Sequence, residues 1–156
     1  MSGTLPLKCV REHGVTVGLA TDGPASHNTL DMFQEMKFAG MIHKDKTGDP
    51  EFFKTTEILE MATADGAKTM NRPETGQLVP GMAADVIVVD LDKAHALPVY
   101  DVAAALVYAS RADDVRDSIV NGRLLMENRI VANIDEAEIR AKFREKAHAL
   151  KKRSLS

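Results

Sequence analysis

The sequence predicts an α/β fold in two parts, a strand-and-helix unit of barrel type followed by a small, mostly antiparallel sheet, with a helix at the C-terminal end. Three observations predict it. Residues 15–20 form an uncharged run that begins with β-branched side chains and stops at Asp22-Gly23-Pro24, a strong turn signal. A short helical stretch ending in His13-Gly14 precedes that run, and the order helix, glycine, buried strand is that of an α/β unit. Further along, two β-branched runs flank Asn121-Gly122, the pair favoured by a two-residue hairpin turn.

Residues 1–6 read as a loop and 7–12 as a short helix. Along the strand at 15–20, side chains alternate faces. Val15, Val17 and Leu19 fall on one face; Thr16, Gly18, Ala20 and Asp22 fall on the other. This asymmetry suits a barrel strand whose bulky face meets helices and whose small face meets a crowded interior. Asp22 then stands at a C-terminal strand end, where such barrels keep catalytic groups. An Asp there can equally start a turn. Residues 23–29 make a small, polar loop in which Ser26, His27 and Asn28 are either site contacts or solvated and capping residues. A helix starts near Thr29 or Asp31, with Met32, Phe33, Met36, Phe38, Ala39, Met41 and Ile42 as a broad packing surface, and a charged turn at 43–50 ends it. Thr55 or Thr56 caps the next helix, with Glu57 in its first turn. Ile58, Ala62, Gly66 and Met70 form one row, whose small members permit close approach to a neighbour.

The texture changes near Glu74. Residues 76–82 are turn-rich, 84–90 form a short strand framed by acids, and 98–109 read as a helix. Residues 115–120 and 123–126 are the hairpin strands, and 130–131 add an edge strand. Asp135 caps the last helix with Glu138 three residues on, and Ile139, Phe143, Ala147 and Leu150 form its expected buried stripe. The domain division expected is 1–75, 76–134 and 135–156.

A net charge of −3 over 156 residues gives no electrostatic case for nucleic acid. The single cysteine, Cys9, excludes an internal disulfide, fits a reducing compartment and reads as a small buried hydrophobe. No apolar run approaches the roughly 20 residues that span a bilayer, and residues 1–20 lack a signal pattern. A cytoplasmic protein with no membrane partner is expected. A complete (β/α)8 barrel takes about 250 residues, so this chain is expected to hold only part of one.

Three motifs carry a family resemblance. Thr21-Asp22-Gly23-Pro24-Ala25-Ser26-His27-Asn28, followed by Leu30-Asp31-Met32-Phe33, resembles the last-strand motif of amidohydrolases, and more narrowly the 5-methylthioadenosine/S-adenosylhomocysteine deaminase branch beside the chlorohydrolases. Residues 76–90 resemble the return from barrel to β-sandwich in that superfamily. Val107-Tyr108-Ala109-Ser110, Asp114-Val115-Arg116 and Val120-Asn121-Gly122-Arg123 resemble its closing strands. The resemblance implies the end of a metal-dependent (β/α)8 barrel over 1–75, the C-terminal part of a β-sandwich over 76–134 and an amphipathic helix over 135–156. The family's site takes a His-x-His pair, two further His and one Asp. Of these, the resemblance places only the Asp here, as Asp22; none of His13, His27, His43, His95 and His148 forms a His-x-His pair. His27 departs from the Asn the family often has.

The reaction implied is hydrolytic deamination of an adenine-type nucleoside, with one divalent metal, Zn2+ by preference, and with Asp22 as both ligand and general base. Bound zinc can lower the pKa of water to about 7, and a short anionic side chain can take that proton and return it to the leaving amine. Ser26, His27 and Asn28 are the candidate substrate or supporting contacts. A single carboxylate makes no zinc site, since catalytic sites take about three protein ligands, so the chain alone is expected to be inactive. The expected partners are a purine nucleoside-type substrate, the remainder of the barrel and further copies in a homo-oligomer. Two other readings stay open: a guanine deaminase or triazine-type chlorohydrolase, and a non-catalytic stand-alone assembly module.

Overall fold

The computed structural model describes residues 3–154. In chain order it has α1 (Leu7–Glu12), α2 (Pro24–His27), α3 (Met32–Thr47), α4 (Thr55–Ala62), α5 (Ala64–Thr69), β1 (Val86–Val89) and α6 (Val102–Ala104). A π-helical turn (Ala105–Ala109) continues α6, and a 3-10 turn (Ala112–Asp114) leads into β2 (Val115–Val120), β3 (Arg123–Glu127), β4 (Ile130–Val131) and α7 (Glu136–Ser154).

The strands form one antiparallel meander in the order β1-β2-β3-β4. Its first hairpin turns at Asn121 and Gly122, both left-handed, as a two-residue turn requires. The backbone N–H of Asn121 donates to Asp85 Oδ1 at 2.6 Å, and that of Gly122 to the Ala84 carbonyl at 3.0 Å, which pins the turn to the start of β1. Ile119 faces Val86 on one side and Leu124 on the other, so one sheet face carries an apolar row.

The core lies among the helices. Leu7, Phe53, Ile58 and Val107 are fully buried, with Phe33, Met36 and Met61 beside them. Burying a side chain of this size contributes about 1.5–3 kcal/mol. α3 packs on α4 and on the π-helical turn. Gly40 marks a close approach in this packing, where a Cβ would meet Tyr108 Oη at 2.8 Å and Ile58 Cδ1 at 2.9 Å. Val17, Leu19, Val89 and Val115 close over this cluster, so the 15–20 segment and the sheet share it.

Several expectations are corrected. Residues 15–20 form no sheet ladder, because no other strand of the described chain lies alongside; Leu19 N–H instead donates to the Met61 carbonyl at 2.9 Å. Val17 and Leu19 do face helices, but Val15 is exposed, and Gly18 meets the backbone of α5. The row from Ile58 to Met70 is broken at Thr63 (φ −126°, ψ −92°), which separates α4 from α5 and leaves Met70 exposed. Thr55 and Thr56 do not cap α4; Lys54 is the N-cap, and Glu57 reaches back to its N–H at 2.7 Å. Residues 98–101 are not helical, since the Asp101 carboxylate caps α6 through Ala104 N–H at 3.0 Å. Phe38, Met41 and Ile42 on α3 are exposed, as is Cys9. The stripe of α7 is exposed as well, with Ile139 54% and Phe143 73% accessible, because α7 projects from the core; its Asp135 cap is present, accepting from Glu138 N–H at 3.0 Å.

Candidate active site

Asp22 is held by its own turn. Its backbone is left-handed (φ 58°), a conformation that costs a non-glycine residue on the order of 1 kcal/mol. The Gly23 N–H offsets this by donating to Asp22 Oδ1 at 2.6 Å, and Thr21 Oγ1 donates to the Asp22 carbonyl at 3.0 Å. The residue is exposed, so its carboxylate is presented outward rather than used to tie the core.

α2 begins immediately afterwards. Gly23 is its extended N-cap and Pro24 its first residue, where a missing N–H does no harm. Ser26 and His27 give their backbone N–H groups to the Gly23 carbonyl at 2.9 and 3.1 Å. Asn28, left-handed at φ 68°, closes the helix with its N–H on the Pro24 carbonyl at 2.9 Å. The His27 ring points toward α3, with Nδ1 3.1 Å from Thr29 Oγ1 and Nε2 3.2 Å from Glu35 Oε1. Asp31 caps α3, accepting from Phe33 N–H at 2.9 Å and Gln34 N–H at 3.2 Å through Oδ1, while Oδ2 accepts from Ala112 N–H at 3.3 Å.

Asp22, Ser26, His27 and Asn28 are therefore gathered in one turn. The other histidines are elsewhere. His13 Nδ1 lies 2.8 Å from the Cys9 carbonyl. His43 packs edge-on against Phe53, and burial, with Lys46 nearby, holds its imidazole below the ordinary range. His95 Nε2 lies 2.9 Å from Asp114 Oδ2, and His148 is on exposed α7. No group of three or more His, Cys, Asp or Glu is placed to hold a metal ion among the described residues. The donor set here thus fits one corner of a metal site, an outward carboxylate, and not a complete one.

The sequence did not single out Glu35, Thr29 or the His95–Asp114 pair as parts of a polar network. Their partners are set by how loops fold back on helices, which no local spacing reports. Asp114 is buried; desolvation pushes its carboxyl up, but the hydrogen bonds from His95 and from Arg111 N–H outweigh this and hold it below the usual carboxylate range. A cavity of about 480 Å³ opens beside His95, Tyr108 and Arg111, and Asp22 does not line it.

Residues 2–125 match the model of the amidohydrolase family. The chain belongs to that family. This amidohydrolase chain is 45% identical over 146 residues to a 5-methylthioadenosine/S-adenosylhomocysteine deaminase of Pelotomaculum thermopropionicum, covering 94% of this chain and 34% of the relative. It is 46% identical over 138 residues to a 5'-deoxyadenosine deaminase of Methanosarcina barkeri, covering 88% and 32%. It thus spans about a third of the length of these curated relatives. Among solved structures, an adenosine deaminase from Xanthomonas campestris with bound zinc superposes with a TM-score of 0.92 at 28% identity, over 97% of this chain and 35% of that one. The atrazine chlorohydrolase of Arthrobacter aurescens TC1 complexed with zinc superposes with a TM-score of 0.81 at 30% identity, over 90% and 31%. No helix among the described residues is long and apolar enough to cross a membrane.

Proposed function

We propose that this chain is the C-terminal third of a cytoplasmic, metal-dependent deaminase of adenine-type nucleosides, with 5-methylthioadenosine and S-adenosylhomocysteine as its substrate class. The observation that carries the reading is the 45% identity to a protein of that name, spread over 94% of the chain. In this reading residues 1–75 close the barrel, 76–134 belong to the β-sandwich and 135–156 form the terminal helix. Several apolar residues stand exposed, Phe38, Met41 and Ile42 on α3 and Ile87 and Leu124 on the sheet, and that supports the rest of the barrel, or further copies, as their cover.

Asp22 is the metal ligand that this chain contributes, with the other ligands supplied from outside it. When bound, zinc makes hydroxide available at neutral pH. Asp22's own part is to accept a proton from the attacking water and pass it to the departing amine, which leaves as ammonia. Ser26, His27 and Asn28 follow that carboxylate in sequence, in the short helix and cap next to it.

The test is ammonia release by the full-length protein supplied separately with 5-methylthioadenosine, S-adenosylhomocysteine, guanine and a chlorinated triazine. The reading expects turnover of the first two, and no turnover by the isolated 156 residues. The superposition on a chlorohydrolase favours the triazine as the second reading; turnover of triazine alone would replace the nucleoside assignment. A full-length protein inert on all four would favour the assembly-module reading.

A further inference from the structure

We propose that His27 is the positioning residue for the Asp22 turn: a ring that reaches out of α2 and braces it against α3. The proposal rests on the reading of Asp22 as the working carboxylate.

The Asp22 carboxylate grips the first N–H of the α2 turn, that of Gly23, at 2.6 Å. Where α2 sits therefore decides where Asp22 sits. α2 is four residues long, far below the roughly 12–15 residues at which a helix begins to hold itself. Its pose has to be fixed from outside, and the His27 side chain reaches out of it to the neighbouring helix.

Two contacts hold that ring. The Thr29 hydroxyl has one proton, and it is directed at Gln34 Oε1, 3.3 Å away. His27 Nδ1 lies 3.1 Å from the same hydroxyl. On the other side of the ring, Nε2 lies 3.2 Å from Glu35 Oε1. An ionised carboxylate oxygen only accepts. This oxygen is buried and makes no hydrogen bond among the described residues, so the ion-pair contact with the His27 ring is the polar contact it has. The ring faces a Glu35 side chain that is only 15% accessible. The brace has two feet, Gln34 through Thr29 and Glu35 directly, both on α3 just past its Asp31 cap. A helix capped and packed as α3 is gives the turn a rigid anchor.

The experiment uses the full-length protein that carries this chain. His27→Ala and Glu35→Gln are each expected to lower kcat by about ten- to a hundredfold, as a misplaced catalytic group does, with KM unchanged. The double variant is expected to be no slower than the slower single one; a loss equal to the product of the two would overturn the brace. Thr29→Val, a milder change, is expected to lower kcat in the same direction if His27→Ala does not fold. Asp22→Ala separates the two claims. If it is inactive while the folded His27→Ala enzyme keeps wild-type kcat, the brace alone is wrong. If Asp22→Ala keeps full activity, the reading of Asp22 itself has failed.

Discussion

Gly18 lies directly against Gly66: a Cβ built on Gly18 would stand 2.9 Å from Gly66 Cα. The segment that delivers Asp22 and the helix α5 approach backbone to backbone at this point. Two residues later in the same segment comes Ala20, and then the Thr21-Asp22 turn. Gly18→Ala is therefore expected to destabilise the protein by about 1–3 kcal/mol, the usual cost of overpacking. Urea denaturation measures it. An unchanged midpoint with an unchanged slope would show that α5 yields freely.

Asp114 gives a pH prediction. Its carboxyl sits below the usual range once folded, because the bonds from His95 and Arg111 N–H outweigh the desolvation that pushes it up. A depressed folded pKa means that the unfolded chain binds the proton more readily, so stability rises with pH through that window. The contribution is complete above the unfolded value, about pH 4, and is lost as pH falls below it. Asp114→Asn is expected to cost about 1–3 kcal/mol at neutral pH, the cost of spoiling a buried, bonded group. The gap in melting temperature between wild type and variant should narrow as pH falls below about 4.

The apolar stripe of α7 makes the opposite kind of prediction. Ile139, Phe143 and Leu150 are exposed. Phe143→Ala in this chain is expected to change unfolding free energy by no more than about 0.5 kcal/mol, as surface substitutions do. A loss of about 3–5 kcal/mol, the range for a buried Phe, would mean that the helix is packed after all. Chemical denaturation of the 156-residue chain decides it.

What the sequence made legible follows the range of the interactions. The Asn121-Gly122 hairpin, the short edge strand, the Asp31 cap of α3 and the Asp135 cap of α7 were all readable, because each is fixed by residues within a few positions. The Ile58–Met70 row was misread because Thr63 breaks the helix through its backbone, which side-chain spacing does not encode. The α7 stripe has the periodicity of a buried face, but periodicity does not say whether a partner is present. The strand at 15–20 has strand composition and no ladder, since pairing needs a neighbour that the described chain does not place there. Of the candidate site, the exposed turn at Asp22 was legible from the Thr-Asp-Gly-Pro sequence. Glu35 and Thr29 were not, because they meet His27 only when α2 folds back on α3.

The role of Asp22 is tested most directly by ammonia release from 5-methylthioadenosine with the full-length protein and its Asp22→Ala variant, each assayed for bound zinc alongside the rate. Loss of the group that moves the proton is expected to slow the reaction by at least about a hundredfold, with zinc occupancy reduced and the fold intact. A folded Asp22→Ala variant that releases ammonia at the wild-type rate would contradict the account.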